Sequence, residues 1–214
     1  GDAVAIDFAD PSAPIVRSVT ANLEELGLAL CIVDCGADHA ALTGEYASIP
    51  QEMKKVAAFF GKKVLREVQE EEVLKAMPQL RRAVGDRAVL RALHFYADDR
   101  RAVEEADALE RRDRDAFLQL VKESGRSSWE LLQNITPAGA VEAQDMAIAL
   151  EAAEIALNGK GACRVHGGGF AGVIAAFLPK EETEGFTKYI NKALGEGSAY
   201  VMHIRPQGAV KVEF

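Results

Sequence analysis

The sequence has no excess of positive charge. Its 214 residues carry 25 Lys and Arg against 33 Asp and Glu, a formal net charge of −8. Such a chain repels polyphosphate and anionic headgroups, and no basic run interleaved with aromatics offsets the repulsion. Neither nucleic acid nor a membrane surface is an expected partner. Cysteine is scarce: Cys31, Cys35 and Cys163 make an odd set without CxxC spacing, so neither a disulfide framework nor a thiolate metal site is expected. Cys31 and Cys35 lie in or beside an apolar run, where a reduced cysteine acts as a small hydrophobe, which points to a reducing, cytoplasmic setting. No apolar stretch approaches the ~20 residues that span a bilayer. His39, His94, His166 and His203 form no HxxxH or HxH pair, so no metal site is expected. There is no GxxxxGK[ST] loop, and Ser124, Ser127 and Ser128 lack the GxSxG setting of a nucleophile elbow. An initiator Met is missing too, the N-terminus does not read as a signal peptide, and a strand reads from almost the first residue, so a fragment is expected.

What is present is a globular composition, 49% hydrophobic and 27% charged. A chain of this length buries roughly 70% of its unfolded surface. Ala3–Phe8 and Leu28–Asp34 read as strands bounded by Gly, Asp or Pro. Ser48-Ile-Pro-Gln51 has the pattern of a capping box, followed by Met53, Val56, Ala57 and Phe60 at helical spacing and a stop at Gly61. A helix is predicted from Asp86 to about Arg111, with Val89, Leu93, Tyr96 and Val103 inward and Asp98, Asp99, Arg101, Glu104 and Glu105 in water. Further helices are predicted over Asp115 to about Leu132, with Leu118, Val121, Trp129 and Leu132 among the apolar positions, and over Val141–Leu157. The last third reads as strands at Ala162–His166, Val173–Leu178, Tyr200–Arg205 and Ala209–Phe214, with a helix over Glu181–Leu194. No repeat or interdomain linker divides residues 1–214, and the order of elements predicts one α+β domain, a ferredoxin-like, split β-α-β layered sandwich with an added helical section.

Among residues that could carry chemistry, the glycines of Gly161–Gly172, GACRVHGGGFAG, come first. Three glycines in a row sacrifice backbone entropy, which makes sense where φ is positive or where main chain must approach something closely. A phosphate or sugar bound by exposed N–H groups is one use of such a turn, and a connection packed under a helix is the other. His94 and Asp98, four apart on a helix, could hydrogen-bond as an orienting pair in a structural network or act in catalysis. Asp34 closes an apolar strand as a catalytic carboxylate or a turn-former.

Four blocks in order resemble the C-terminal half of the galactokinase family, within the GHMP small-molecule kinases. Leu30–Tyr46, LCIVDCGADHAALTGEY, is similar to the segment that ends in the family's sugar-contacting tyrosine. Arg91–Arg101, RALHFYADDRR, resembles R-x-x-H-x-x-x-E-x-x-R with Asp98 as the acid. Glu123–Ser127, ESGRS, resembles E-S-H-x-S, and Arg164–Gly172, RVHGGGFAG, resembles R-M-T-G-G-G-F-G-G. The resemblance implies transfer of the γ-phosphoryl group of ATP, with Mg²⁺, to the anomeric hydroxyl of α-D-galactose. It implies that Tyr46 binds sugar, that Gly167, Gly168 and Gly169 line the cleft between two halves, and that the domain of 1–214 is the C-terminal half. It also implies that the ATP loop and catalytic aspartate belong to a missing N-terminal half, so that this chain is inactive alone, carries no catalytic residue and binds neither ATP nor Mg²⁺ unaided. Departures point to a divergent bacterial subgroup: Ser48-Ile-Pro-Gln51 replaces basic residues, His166 a threonine, Gly125 a histidine, and Asn134–Gln144 a Cys-Pro-Glu segment. A kinase of the same family for another sugar or small alcohol, and a non-catalytic sugar sensor, are the alternatives.

Overall fold

The computed structural model describes residues 3–19, 23–36 and 42–203. β1 (Ala3–Asp7) and β2 (Ile15–Val19) pair antiparallel as a separate ribbon. β3 (Leu28–Asp34), β4 (Ala162–His166), β5 (Val173–Pro179) and β6 (Ala199–Met202) form an antiparallel sheet in the order β4-β5-β3-β6. Between β3 and β4 run α1 (Thr43–Phe59), α2 (Glu70–Lys75), α3 (Met77–Val84), α4 (Asp86–Glu110), α5 (Arg114–Ser127) and α6 (Asp145–Leu157); α7 (Thr183–Leu194) joins β5 to β6. Taken from β3, the sequence β3-α6-β4-β5-α7-β6 with that strand order is the split β-α-β arrangement, and α1–α5 are the added helical section.

Period-two alternation divides the sheet into two apolar faces. Cys31, Val33, Val165, Ile174, Ala176 and Leu178 pack with Met146, Ala149 and Ala153 of α6 and with Phe186 and Ile190 of α7. On the other face Leu28, Ala162 and Phe177 meet Phe117, Leu118 and Val121 of α5 and Ala108 of α4. A third cluster lies wholly among helices, where Val56 and Ala57 of α1 pack with Val73, Leu80, Val89 and Ala92. The helix α4 thus touches α1 and α3 over one part of its surface and α5 over another.

Several expectations are corrected. α1 begins at Thr43, five residues before the apparent capping box, and runs through Pro50. Ser48 does not cap it; its hydroxyl donates to the Glu45 carbonyl at 2.7 Å, as serine inside a helix often does. α6 begins at Asp145 rather than Val141, because Gln144 bonds back to the Ala140 and Val141 carbonyls and Val141 stays in the preceding turn, 81% exposed. The helix expected to reach Leu132 changes to a π turn over Ser128–Leu132, which swings Trp129 outward. Val103 is also exposed, whereas Arg91 and His94 are buried, since α4 packs against α1, α3, α5 and the β1–β2 ribbon on different sides rather than resting one face on a single partner. The ribbon strand β2 and the helical pieces of 65–84, none longer than 8 residues, are not among the elements expected from the sequence. β6 spans Ala199–Met202, beginning one residue before the expected Tyr200–Arg205, whose last two residues lie outside the described residues, as does the strand expected at Ala209–Phe214.

Ile174 is fully buried in the sheet, so Ile174→Ala is expected to lower the unfolding free energy by about 2–5 kcal/mol. Val141→Ala is expected to change it by less than about 0.5 kcal/mol, because the side chain leaves no core position. Urea titration of both variants beside the parent chain checks the contrast.

Candidate functional site

The glycine turn connects β4 to β5, and its backbone is held in left-handed conformations: φ is 79° at Gly167, 85° at Gly169 and 60° at Phe170. The object that main chain approaches is another part of the chain. A Cβ on Gly168 would lie 2.6 Å from Cε1 of Tyr46, and one on Gly169 would lie 2.1 Å from the Asn134 carbonyl oxygen. Only glycine fits either place. The Tyr46 hydroxyl donates to the Gly169 carbonyl at 2.8 Å, and its ring meets Phe170 edge-on, with centroids 5.6 Å apart. Burial pushes the Tyr46 phenol above its ordinary pKa, so it stays a neutral donor at physiological pH. Tyr46, Gly168 and Gly169, singled out separately in the sequence, are therefore one contact. Gly167 supplies the turn's first left-handed residue, and a Cβ there would meet open space.

Asn134 holds the opposite side of the turn. Its carbonyl accepts from the Phe170 amide at 2.6 Å, and its side-chain amide donates to the Gly168 carbonyl at 3.2 Å. Phe170 is buried and not a glycine, so its φ of 60° stores strain on the order of 1–3 kcal/mol, which these bonds and the Tyr46 ring offset. Asn134 follows Gln133, which is itself left-handed and ends the π turn. Leu132, just before, receives the Nε–H of Arg91 at 3.0 Å.

Arg91 has no exposed surface, so its charge requires partners within the fold. Its Nη1 donates to Glu52 at 2.9 Å and to the Ser48 hydroxyl at 2.8 Å, both on α1. Burial lowers the Arg91 pKa, opposed by the neighbouring Glu52, and a guanidinium so placed remains charged. Glu52 also takes a forked bond from Arg87, with Nη2 at 2.6 Å and Nε at 3.1 Å. Burial raises the Glu52 pKa, but the Arg87 hydrogen bonds and the charges of both arginines outweigh it and leave the carboxyl below its ordinary range. Sequence reasoning missed Glu52 and Asn134. A glutamate and an asparagine in a helix and a loop carry no local mark of such a role.

The remaining blocks converge on a second polar network, centred on Asp98 about two turns further along α4. Asp98 accepts from Arg101 at 2.6 Å and from the Ser124 hydroxyl at 2.6 Å, while Arg164 of β4 donates to the same hydroxyl at 2.6 Å. His94 Nδ1 lies 2.9 Å from the Ser127 hydroxyl, and its Nε2 lies 3.6 Å from Asp98, too long for a hydrogen bond. His94 and Asp98 thus do not hydrogen-bond to each other as their spacing suggested, but both belong to a network that joins α4, α5 and the sheet. Asp34 is a turn-former here, accepting from the Gly36 amide at 2.9 Å. Burial pushes the thiols of Cys31 to about 11 and Cys35 to about 12, and that of Cys163 higher still, so none is a nucleophile at neutral pH. Among the described residues no group of three or more His, Cys, Asp or Glu could hold a metal ion. No described helix is long and apolar enough to cross a membrane.

Comparison with known proteins places these features in a family context. No family model matches the chain. Galactokinase of Glaesserella parasuis serovar 5 is 30% identical over 164 residues, covering 77% of this chain and 41% of the relative. Galactokinase of Haemophilus influenzae is 29% identical over 163 residues, covering 76% and 40%. The chain thus spans about two fifths of the length of the curated relatives it matches. Among solved structures, Lactococcus lactis galactokinase complexed with galactose superposes with a TM-score of 0.72 at 19% identity, over 94% of this chain and 50% of that one. L. major mevalonate kinase in complex with R-mevalonate superposes with a TM-score of 0.55 at 11% identity, over 94% and 48%.

Gly168→Ala forces the Tyr46 ring aside, so the NMR signals of that ring and of Phe170 are expected to shift while those of α7 stay in place. The second network makes stability pH-dependent. Burial holds the His94 pKa below its ordinary 6.5, which the unfolded chain retains. Below about pH 6.5 the unfolded state therefore binds the extra proton, and stability is lost as the pH falls towards the folded value. Urea unfolding at pH 7.5 and 5.5 is expected to show a smaller loss for His94→Gln than for the parent.

Proposed function

Starting from the homology of this chain to galactokinases over 77% of its length, we propose that it forms one wall of a sugar-kinase cleft. The reaction is transfer of the γ-phosphoryl group of ATP to the anomeric hydroxyl of α-D-galactose, giving ADP and galactose 1-phosphate. In this reading the chain is the C-terminal half of the enzyme. The triphosphate, its Mg²⁺ and the catalytic aspartate are held by the remaining, N-terminal half, and the chain alone turns nothing over. Catalysis of this kind rests on positioning and charge neutralisation, so a wall that fixes the sugar contributes directly to rate.

The observation that carries the proposal is the seating of Tyr46 on the glycine turn. The residue with the sugar-contacting place in the family is the one whose ring and hydroxyl hold Gly168 and Gly169. Its hydroxyl donates to the Gly169 carbonyl, which fixes the direction of the phenol at the turn. The half-buried ring offers an apolar face beside that polar tip, as sugar sites require.

Co-expression with the ATP-binding half of a galactokinase is expected to yield galactose-dependent ADP release; a well-folded complex without it would sink the proposal. In that complex Tyr46→Phe is expected to raise the KM for galactose about three- to tenfold, the value of one hydrogen bond of ~0.5–1.5 kcal/mol. A panel of sugars in the same assay separates galactose from another substrate, and binding without turnover would instead identify a sensor.

A further inference from the structure

We infer that Arg91 is a positioning residue, which sets how the Tyr46 ring and the glycine turn meet without itself touching the sugar. The inference rests on the reading of Tyr46 as a sugar contact, and its geometry is independent of that reading.

Tyr46 and the turn are 123 residues apart in sequence. Among the described residues, Arg91 links them by two arms, one reaching α1 and the other the corner that holds the turn. Along the first, Nη1 binds Ser48 and Glu52, which lie on α1 with Tyr46, and Ser48 in turn donates to the Glu45 carbonyl. Along the second, Nε binds the Leu132 carbonyl, two residues before Asn134, and Asn134 holds Gly168 and Phe170. The planar fork of the guanidinium keeps its donors at fixed angles, so the helix and the Leu132–Asn134 corner are held in one relative placement. Lysine concentrates its donors at a single flexible point and cannot keep both contacts at these angles. Glu52 would keep its fork to Arg87 in an Arg91→Lys chain, so α1 would remain docked while its register against the corner is released. Glu45 fastens the same region from the other side, accepting from the Ala138 amide at 2.9 Å. That bond joins the start of α1 to the segment after Asn134 and leaves the angular setting to Arg91.

The test uses the 214-residue chain as Arg91→Lys, with Ser48→Ala as the milder variant should the first not fold. The readout is the set of NMR contacts between the Tyr46 ring and Gly168 and Phe170, against the methyl signals of Ile174 and Ile190 as controls for the fold. A residue that merely stabilises would lower the unfolding midpoint and leave the Tyr46 contacts of the folded state intact. The expected result is loss of those contacts with unchanged control signals. Intact contacts in a folded Arg91→Lys chain, or in Ser48→Ala where Arg91→Lys does not fold, overturn the inference. In the reconstituted kinase the same variant is expected to raise the galactose KM about tenfold, with kcat changed by less. Lost contacts with an unchanged KM would leave the positioning role standing and remove the sugar role of Tyr46, so the two ideas fail separately.

Discussion

A guanidinium without exposed surface is the constraint on which the candidate site depends. Arg91 sits where α1, α4 and the corner after the π turn come together. Removing its charge from water is unfavourable by several kcal/mol unless hydrogen bonds replace the hydration shell. The fold meets that demand at Nε and Nη1 with a carboxylate, a hydroxyl and a main-chain carbonyl, while Nη2 has no hydrogen-bond partner among the described residues. Each of these acceptors belongs to a segment that leads to the glycine turn. The electrostatic need of one side chain thus becomes a geometric rule for three elements.

The same logic recurs on the next part of α4. Asp98, Arg101, Ser124, Ser127, His94 and Arg164 satisfy one another where α4 packs on α5 and α5 packs on β4. The two networks differ in what they hold. The first aligns the candidate site, and the second joins the helical section to the sheet that presents the turn. Both lie on a helix whose burial is shared among several neighbours, which explains how so many charged residues are carried inward by one segment. Oily packing alone would allow α4 to slide against α5, because apolar contacts are not directional. Directional bonds near the start and at the middle of the helix remove that freedom.

The glycine turn illustrates how function-like sequence features can have structural partners. Its glycines are required by the Tyr46 ring and by Asn134, both parts of this chain. A strained, buried Phe170 between them indicates a conformation imposed by its surroundings. Such a turn is held in shape by hydrogen bonds and ring contacts from its own chain.

Much of the architecture was legible because its signals are local. The strands β3, β4 and β5, the helices α4 and α7, and the four blocks resembling galactokinases could be read from apolar spacing, turn residues and short motifs. Tyr46 and the glycines could likewise be picked out one at a time. The start of α1 was misread because a Ser-x-x-Gln pattern looks the same at a cap and inside a helix, and the π turn because periodicity cannot register one extra residue per turn. Only the tertiary structure decided that Tyr46 rests on Gly168, that Asn134 closes the turn, and that Glu52 and Arg91 tie them together. Those contacts join residues far apart in the chain, and their energy comes from burying charge and main chain in a shared interior. Neighbouring residues carry no trace of that interior until the helices have packed around it.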